Sequence, residues 1–211
     1  MSPYKINKDH FECQMATNYI GHYALNGMRL PLLIKTANSR VITLSSLPNK
    51  WAEIQFDDIY AQKGYSRRRA FGQSKRACLI FAFELQRRLT IANCKTIPVA
   101  ARPMLCKTNL DQYFSSLIRP LGSLFLQRTK SGAMPVLYAL LNKDIKGGEF
   151  IGPGGFQQLR GCPTVIKAHE YSINKEVAQH FWKTSQEMTN VFYLQQIILK
   201  FPNKFFPNKW I

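Results

Sequence analysis

The chain has 211 residues, of which 45% are hydrophobic and 12% aromatic, and this composition suffices for one domain with a sizeable core. The polar, charged start and the lack of an apolar run long enough to cross a membrane predict a cytoplasmic protein without a signal peptide. The five cysteines and four histidines show neither paired nor metal-ligand spacing, which favours reduced thiols and argues against a zinc site.

The net charge of +17, from 29 basic and 12 acidic residues, is the unusual feature of the composition. Such an excess favours polyanionic partners. The charges are spread along the chain, and only Arg67, Arg68 and Arg69 form a tight run. The sequence therefore predicts a solvated basic surface with weak, salt-sensitive and non-specific binding of polyanions.

The first predicted element is a helix over residues 9–33, where apolar side chains recur at helical spacing and Pro31 is expected to kink or end the helix. Residues 40–46 form a short β-prone run that suits a buried strand of a parallel sheet. Ser45 and Ser46 close this run. Ligands of open α/β sheets bind at the carboxyl ends of the strands, so these serines stand at a plausible site.

A long helix predicted over residues 64–89 dominates the chain. Small residues crowd its first turns, which lets another backbone come close. Phe71 and Lys75 are four residues apart, so both project from the same side. With residues 40–46 before it and a predicted strand over 96–101 after it, the helix forms a crossover unit.

The remaining elements are a helix at 134–142, a strand at 149–151 and a helix at 174–188. Residues 201–211 repeat Phe-Pro-Asn-Lys, and the prolines block regular structure. Residues 194–211 are therefore predicted to be a flexible basic, aromatic tail.

Several motifs occur in the order found in one known family. Residues 71–75, FGQSK, resemble its Tyr-x-x-x-Lys helix, and residues 102–110, RPMLCKTNL, resemble its P-G-x-x-x-T-N-L loop. Residues 147–156, GGEFIGPGGF, are similar to its G-G-E-Y-x-G-P-x-G-F segment. The family is the short-chain dehydrogenase/reductases, and the flanking residues look most like its retinol-dehydrogenase and WW-domain-oxidoreductase branch.

The resemblance implies an α/β fold with an incomplete, Rossmann-like, doubly wound parallel sheet in three layers. The family's Gly-rich turn (T-G-x-x-x-G-x-G) and its N-N-A-G strand do not occur in the sequence. We therefore expect the first strands to be missing, and residues 1–193 to be the C-terminal part of such a domain.

The resemblance also implies NAD or NADP as the cofactor and a small carbonyl or alcohol substrate. The catalytic positions are Asn18, Ser46, Phe71 and Lys75, and the cofactor contacts are Asn18, Lys75, Pro103 and Thr108. In the family, a tyrosine hydroxyl is the acid or base, the lysine lowers its pKa and binds the ribose, and the serine orients the carbonyl. The asparagine carbonyl holds a water that links the lysine to solvent.

Two positions depart from the family pattern. Phe71 has no hydroxyl, and Met104 stands where the family has glycine, so its side chain could fill cofactor space. A loop under no constraint would tolerate the same change. The 211 residues are therefore expected neither to bind NAD(P)H measurably nor to reduce a carbonyl.

Two functions stay open at this point. One is a truncated, catalytically impaired NAD(P)-dependent oxidoreductase. The other is a non-catalytic remnant that binds proteins or polyanions. The resemblance also implies a homodimer through the helices at 9–33 and 64–89.

Overall fold

The computed structural model describes residues 1–104, 106 and 129–193, and the predicted tail at 194–211 lies outside them. Four strands form one sheet in the order β1 (Arg40–Leu44), β2 (Ile97–Ala101), β3 (Phe150–Pro153) and β4 (Pro163–Val165). The helices are α1 (Cys13–Met15), α2 (Gly21–Leu33), α3 (Arg67–Ile91), α4 (Thr129–Leu141), α5 (Glu170–Ile173) and α6 (Lys175–Thr189). Among the described residues, none of the helices has the length and apolar character of a membrane span.

The parallel sheet predicted from the sequence is confirmed. β1 pairs in parallel with β2, and β2 pairs in parallel with β3. The short strand β4, which was not predicted, pairs antiparallel with β3. α3 therefore connects two neighbouring parallel strands, as expected for a crossover helix.

The three-layer arrangement is also confirmed, because the two faces of the sheet carry different helices. On β2, Ala100 clusters with Leu79 of α3. The adjacent residues Val99 and Ala101 cluster with Ala139 of α4 on the opposite face. Successive residues of a strand point to opposite faces, so a strand buried on both sides reads as a continuous apolar run.

The first predicted helix, residues 9–33, is interrupted in the structure. It begins only at Cys13, because the Glu12 carboxylate accepts two backbone N–H groups of the first turn. A π-helical turn over Ala16–Ile20 then separates α1 from α2. Such turns are frequent at functional sites, and this one contains Asn18.

A close backbone contact holds the chain after β1 against α3. A Cβ atom at Gly72 would lie 2.8 Å from the Cβ of Ala52 and 3.0 Å from the carbonyl oxygen of Pro48. Only glycine allows this approach. The contact fixes the 3₁₀ turn Leu47–Lys50 beside the first turns of the helix.

β1 is an edge strand of the described sheet. At either end of β1, the Ser39 carbonyl accepts a hydrogen bond from β2 and the Ser45 N–H donates one to β2. Alternate residues of a parallel strand bond the same neighbour, so the N–H and C=O groups of Arg40, Ile42 and Leu44 point to the other side. No strand of the described residues pairs with that side.

An aromatic cluster joins α2, α3 and α6. Trp182 is only 2% exposed, and its ring stacks on Phe81 with 5.8 Å between centroids. Tyr23 and Tyr193 contact the indole edge-on, at 5.5 Å and 4.8 Å. The Arg88 guanidinium lies 4.4 Å from its centroid, so the Trp182 side chain connects α6 to both α2 and α3.

Candidate active site

Phe71 and Lys75 lie one turn apart on α3, beside the carboxyl end of β1. The Lys75 Nζ donates a hydrogen bond to the Leu44 carbonyl at 3.2 Å. It lies 5.9 Å from the centroid of the Phe71 ring. The amine therefore has a strand end and an aromatic ring as neighbours, and the ring carries no hydroxyl.

The two serines after β1 have different roles. Ser45 is buried, and its hydroxyl donates to the Lys75 carbonyl at 2.8 Å, which fixes α3 to the strand end. Ser46 is half-buried and has an extended backbone. Within the described part of the chain, its hydroxyl does not cap the turn that follows, so Ser46 is the serine that a ligand could reach.

Asn18 is linked to α3 by two hydrogen bonds that the sequence did not predict. Its Nδ2 donates to the Ser74 hydroxyl at 2.9 Å, and its carbonyl accepts from the Cys78 thiol at 3.1 Å. Burial raises the pKa of Cys78 to about 11, so the thiol is protonated at neutral pH and can donate. The only sequence signal was spacing, because Ser74 and Cys78 lie three and seven residues after Phe71.

A cavity of about 200 Å³ lies next to Lys75. Its walls are the open edge of β1, the π-helical turn with α2, and α3. The buried hydroxyl of Thr43, in the wall from β1, has no hydrogen-bond partner among the described residues. The lining residues are Asn18, Tyr19, His22, Tyr23, Asn26, Ile42, Thr43, Leu44, Lys75, Cys78 and Phe81.

Comparison with known proteins shows which proteins the chain is similar to. No family model matches the chain. Retinol dehydrogenase 14 of Mus musculus is 31% identical over 197 residues, and polyprenol dehydrogenase of Homo sapiens is 28% identical over 199 residues; each match covers 90% of this chain. The crystal structure of an uncharacterized protein from Mycobacterium paratuberculosis matches with a TM-score of 0.74 and 31% identity, over 91% of this chain and 64% of that chain.

The chain is homologous to retinol and polyprenol dehydrogenases, which are short-chain dehydrogenase/reductases. It spans 56% of the mouse retinol dehydrogenase and 58% of the human polyprenol dehydrogenase. The parallel sheet with helices on both faces is accordingly a Rossmann-type fold.

Two of the described side chains would suit part of a nicotinamide cofactor. The ammonium group of Lys75 and the unpartnered hydroxyl of Thr43 line the cavity, and both suit ribose hydroxyls. Met104 fits less well, because its side chain is buried, with 7% exposed, and fills interior space that a glycine would leave open. Pro103 is exposed after β2, and Thr108 lies outside the described residues.

Two tyrosines near the site are poor replacements for the missing hydroxyl. The Tyr65 hydroxyl accepts from the Gln14 side chain at 2.8 Å and donates to the Glu12 carboxylate at 3.1 Å, so it is committed to the start of α1. Tyr23 lines the cavity, but its hydroxyl is buried in the aromatic cluster near Arg88, and burial raises its pKa. In the part of the chain that the structure describes, no group of three metal-ligating side chains occurs.

Proposed function

We propose that the chain is an NAD(P)-dependent short-chain oxidoreductase for carbonyl–alcohol interconversion whose catalysis is impaired at Phe71. The observation that carries the proposal is the phenyl ring 5.9 Å from the Lys75 amine. The family resemblance assigns Lys75 and Ser46 to the family's lysine and serine, whereas Phe71, in the position of the proton-exchanging tyrosine, carries only a hydrocarbon ring.

Three residues of the chain would bind or orient the substrate and cofactor or support the site. Ser46 would donate a hydrogen bond to the substrate oxygen and orient the carbonyl. Lys75 would hold the ribose, and Asn18 would brace α3 through Ser74. A bound nicotinamide supplies a hydride, but the substrate oxygen then needs a proton that Phe71 cannot give. Loss of a positioned general acid typically costs about 10²–10⁴ in rate.

The names of the relatives suggest which substrates to test first. Retinol dehydrogenases and a polyprenol dehydrogenase are named for long apolar alcohols. We therefore propose isoprenoid alcohols and aldehydes as the first substrate class for this chain. The fold alone does not determine the substrate, so this class has to be tested directly.

Fluorescence titration of NADPH and NADH is expected to show no micromolar binding by the 211-residue chain. The buried Met104 side chain would fill space that the family's glycine leaves open, and Lys75 and Thr43 would contact a ribose but not the pyrophosphate, which the family holds with a Gly-rich turn. Lys75→Met tests the site, and Lys95→Met, at an exposed lysine before β2, controls for charge. A micromolar dissociation constant that rises only in Lys75→Met would show an intact cofactor site and contradict the expected loss of cofactor binding.

An exposed apolar stripe on α2 favours a second candidate function, a module that binds protein. Leu25, Met28 and Leu32 are 47%, 66% and 61% exposed. Their spacing of three and four residues puts them on one side of the helix. A second copy of the chain is the partner that we propose, because the family resemblance implies a homodimer through α2 and α3.

Met28→Glu is expected to convert this dimer to a monomer, because it places a charge at the centre of an apolar contact. Light scattering after gel filtration measures the mass directly. Gln62→Glu adds the same charge on an exposed loop and should leave the mass unchanged. A wild-type chain that is monomeric at high concentration would refute the dimer.

A further inference from the structure

A buried arginine without a carboxylate partner lies beside the candidate active site. Arg76 is 1% exposed. Its Nε donates to the Ala52 carbonyl at 2.7 Å, and its Nη1 donates to the Ser172 hydroxyl at 2.8 Å. The Tyr171 ring lies 5.3 Å from the guanidinium carbon. The ion pairs of the described residues involve other cations: Arg87, Arg88 and Lys183.

This arrangement buries a positive charge and leaves some of its N–H donors without a hydrogen-bond partner among the described residues. Taking a charge out of water is costly unless it is paired, and burial lowers the pKa of Arg76. A guanidinium has five N–H donors. The described hydrogen bonds use only its Nε and Nη1, so Nη2 remains for a ligand.

The side chain of Arg76 lines a cavity of about 240 Å³ that contains more basic than acidic groups. Lys50 and Arg69 are also in its wall, against a single acidic residue, Glu53. Glu53 attracts Arg76 only from beyond ion-pair distance. The other lining residues are Trp51, Ala52, Gln55 and His169, and none of the lining residues belongs to the cavity beside Lys75.

A second buried arginine adds positive potential on the same side. Arg102 is 2% exposed, and its Nη2 donates to the Gln158 carbonyl at 2.7 Å. Its Nε has no partner among the described residues. Burial lowers the pKa of Arg102 to about 10. The pKa of Lys50 is lowered mainly by burial and further by the charge of Arg102.

We propose that the cavity lined by Arg76, Arg69 and Lys50 binds a phosphate group. A dianion would pair the buried guanidinium, and the planar fork of arginine matches phosphate oxygens. The ring of Trp51 stands at the rim with 74% exposed and offers an aromatic face to a group attached to the phosphate. The ligand is therefore either free phosphate or the phosphate monoester of a flat ring compound.

This site is separate from the proposed oxidoreductase chemistry and does not depend on it. The contact at Gly72 holds the segment with Lys50 and Trp51 against α3. Arg76 on that helix then bonds the Ala52 carbonyl. The site is thus assembled by backbone contacts that are independent of a nicotinamide cofactor.

Tryptophan fluorescence of the whole chain, titrated with inorganic phosphate and with phenyl phosphate at constant ionic strength, tests the proposal. We expect saturable changes with both, none with phenol, and loss of the signal in Trp51→Phe. Arg76→Met should weaken binding by about tenfold or more, and Lys50→Gln by a smaller factor, since hydrogen bonds to charged groups are lost. Lys95→Gln should change binding by less than about twofold, because isolated surface charges contribute little.

The outcomes separate a built site from general attraction to a chain of charge +17. Equal weakening by Lys95→Gln and Lys50→Gln, or a signal that never saturates, would overturn the proposal. Tighter binding of phenyl phosphate than of phosphate identifies a monoester with a ring, and equal binding identifies phosphate alone. If Arg76→Met does not fold, Lys50→Gln and Arg69→Gln carry the test, because these two side chains are less buried.

Discussion

Reduction of an aldehyde by the wild-type chain with NADPH or NADH is expected to be slower by a factor of at least about 10²–10⁴ than by a short-chain dehydrogenase/reductase with tyrosine at this position. Phe71 has no proton to give, and the Lys75 amine beside it has no phenol to tune. Phe71→Tyr alone is also expected to stay inactive, because Met104 still fills interior space. Absorbance of the reduced cofactor measures all variants side by side.

Two double variants, compared with Phe71→Tyr alone, show which difference from the family is decisive. Phe71→Tyr with Met104→Gly changes both positions that depart from the family. Phe71→Tyr with Lys75→Met is the matched control, because a phenol without the amine should not act at neutral pH. If the wild-type chain reduces the aldehyde as fast as a relative with tyrosine at this position, the proposal that Phe71 impairs catalysis is wrong. Turnover by Phe71→Tyr that disappears on adding Lys75→Met would show that the hydroxyl was the decisive loss.

Trp182→Ala is expected to lower the free energy of unfolding by about 3–5 kcal/mol. The indole is buried among Phe81, Tyr23 and Tyr193, so its removal leaves a cavity that three helical segments cannot easily close. The guanidinium of Arg88 would lose its aromatic neighbour as well.

Urea denaturation measures this change directly. The matched control is Trp51→Ala, since Trp51 is 74% exposed and its loss should cost within about 0.5 kcal/mol. Similar losses in the two variants would mean that the aromatic cluster is not a principal part of the core.

The strongly periodic parts of the fold could be predicted from the sequence, and their ends could not. The helix predicted over 64–89 is Arg67–Ile91, because the Ser66 side chain caps it by accepting from the Arg69 N–H. β4 has three residues and begins with a proline. Its pairing depends on a preceding turn with Gly161 at a φ of 109°, which hydrophobic periodicity cannot reveal.

The same distinction applies to the site. Spacing alone put Phe71 and Lys75 on one side of a helix, because that relation is local. The bond between Cys78 and Asn18 joins distant segments, so helical period contains no information about it. The burial of Arg76 and Arg102 was not foreseen either, because arginine is seldom fully buried without a partner.

The hydrogen bond from Lys75 to the Leu44 carbonyl gives this lysine a task apart from chemistry. Unpaired strand edges invite other chains to add on, and natural proteins often discourage this with a lysine. A strand that paired with this edge would have to break the hydrogen bond from the Lys75 amine to the Leu44 carbonyl and remove the water that hydrates the amine. A lysine at residue 75 can therefore be useful at the strand edge whether or not residue 71 carries a hydroxyl, and its presence beside Phe71 is no measure of enzymatic activity.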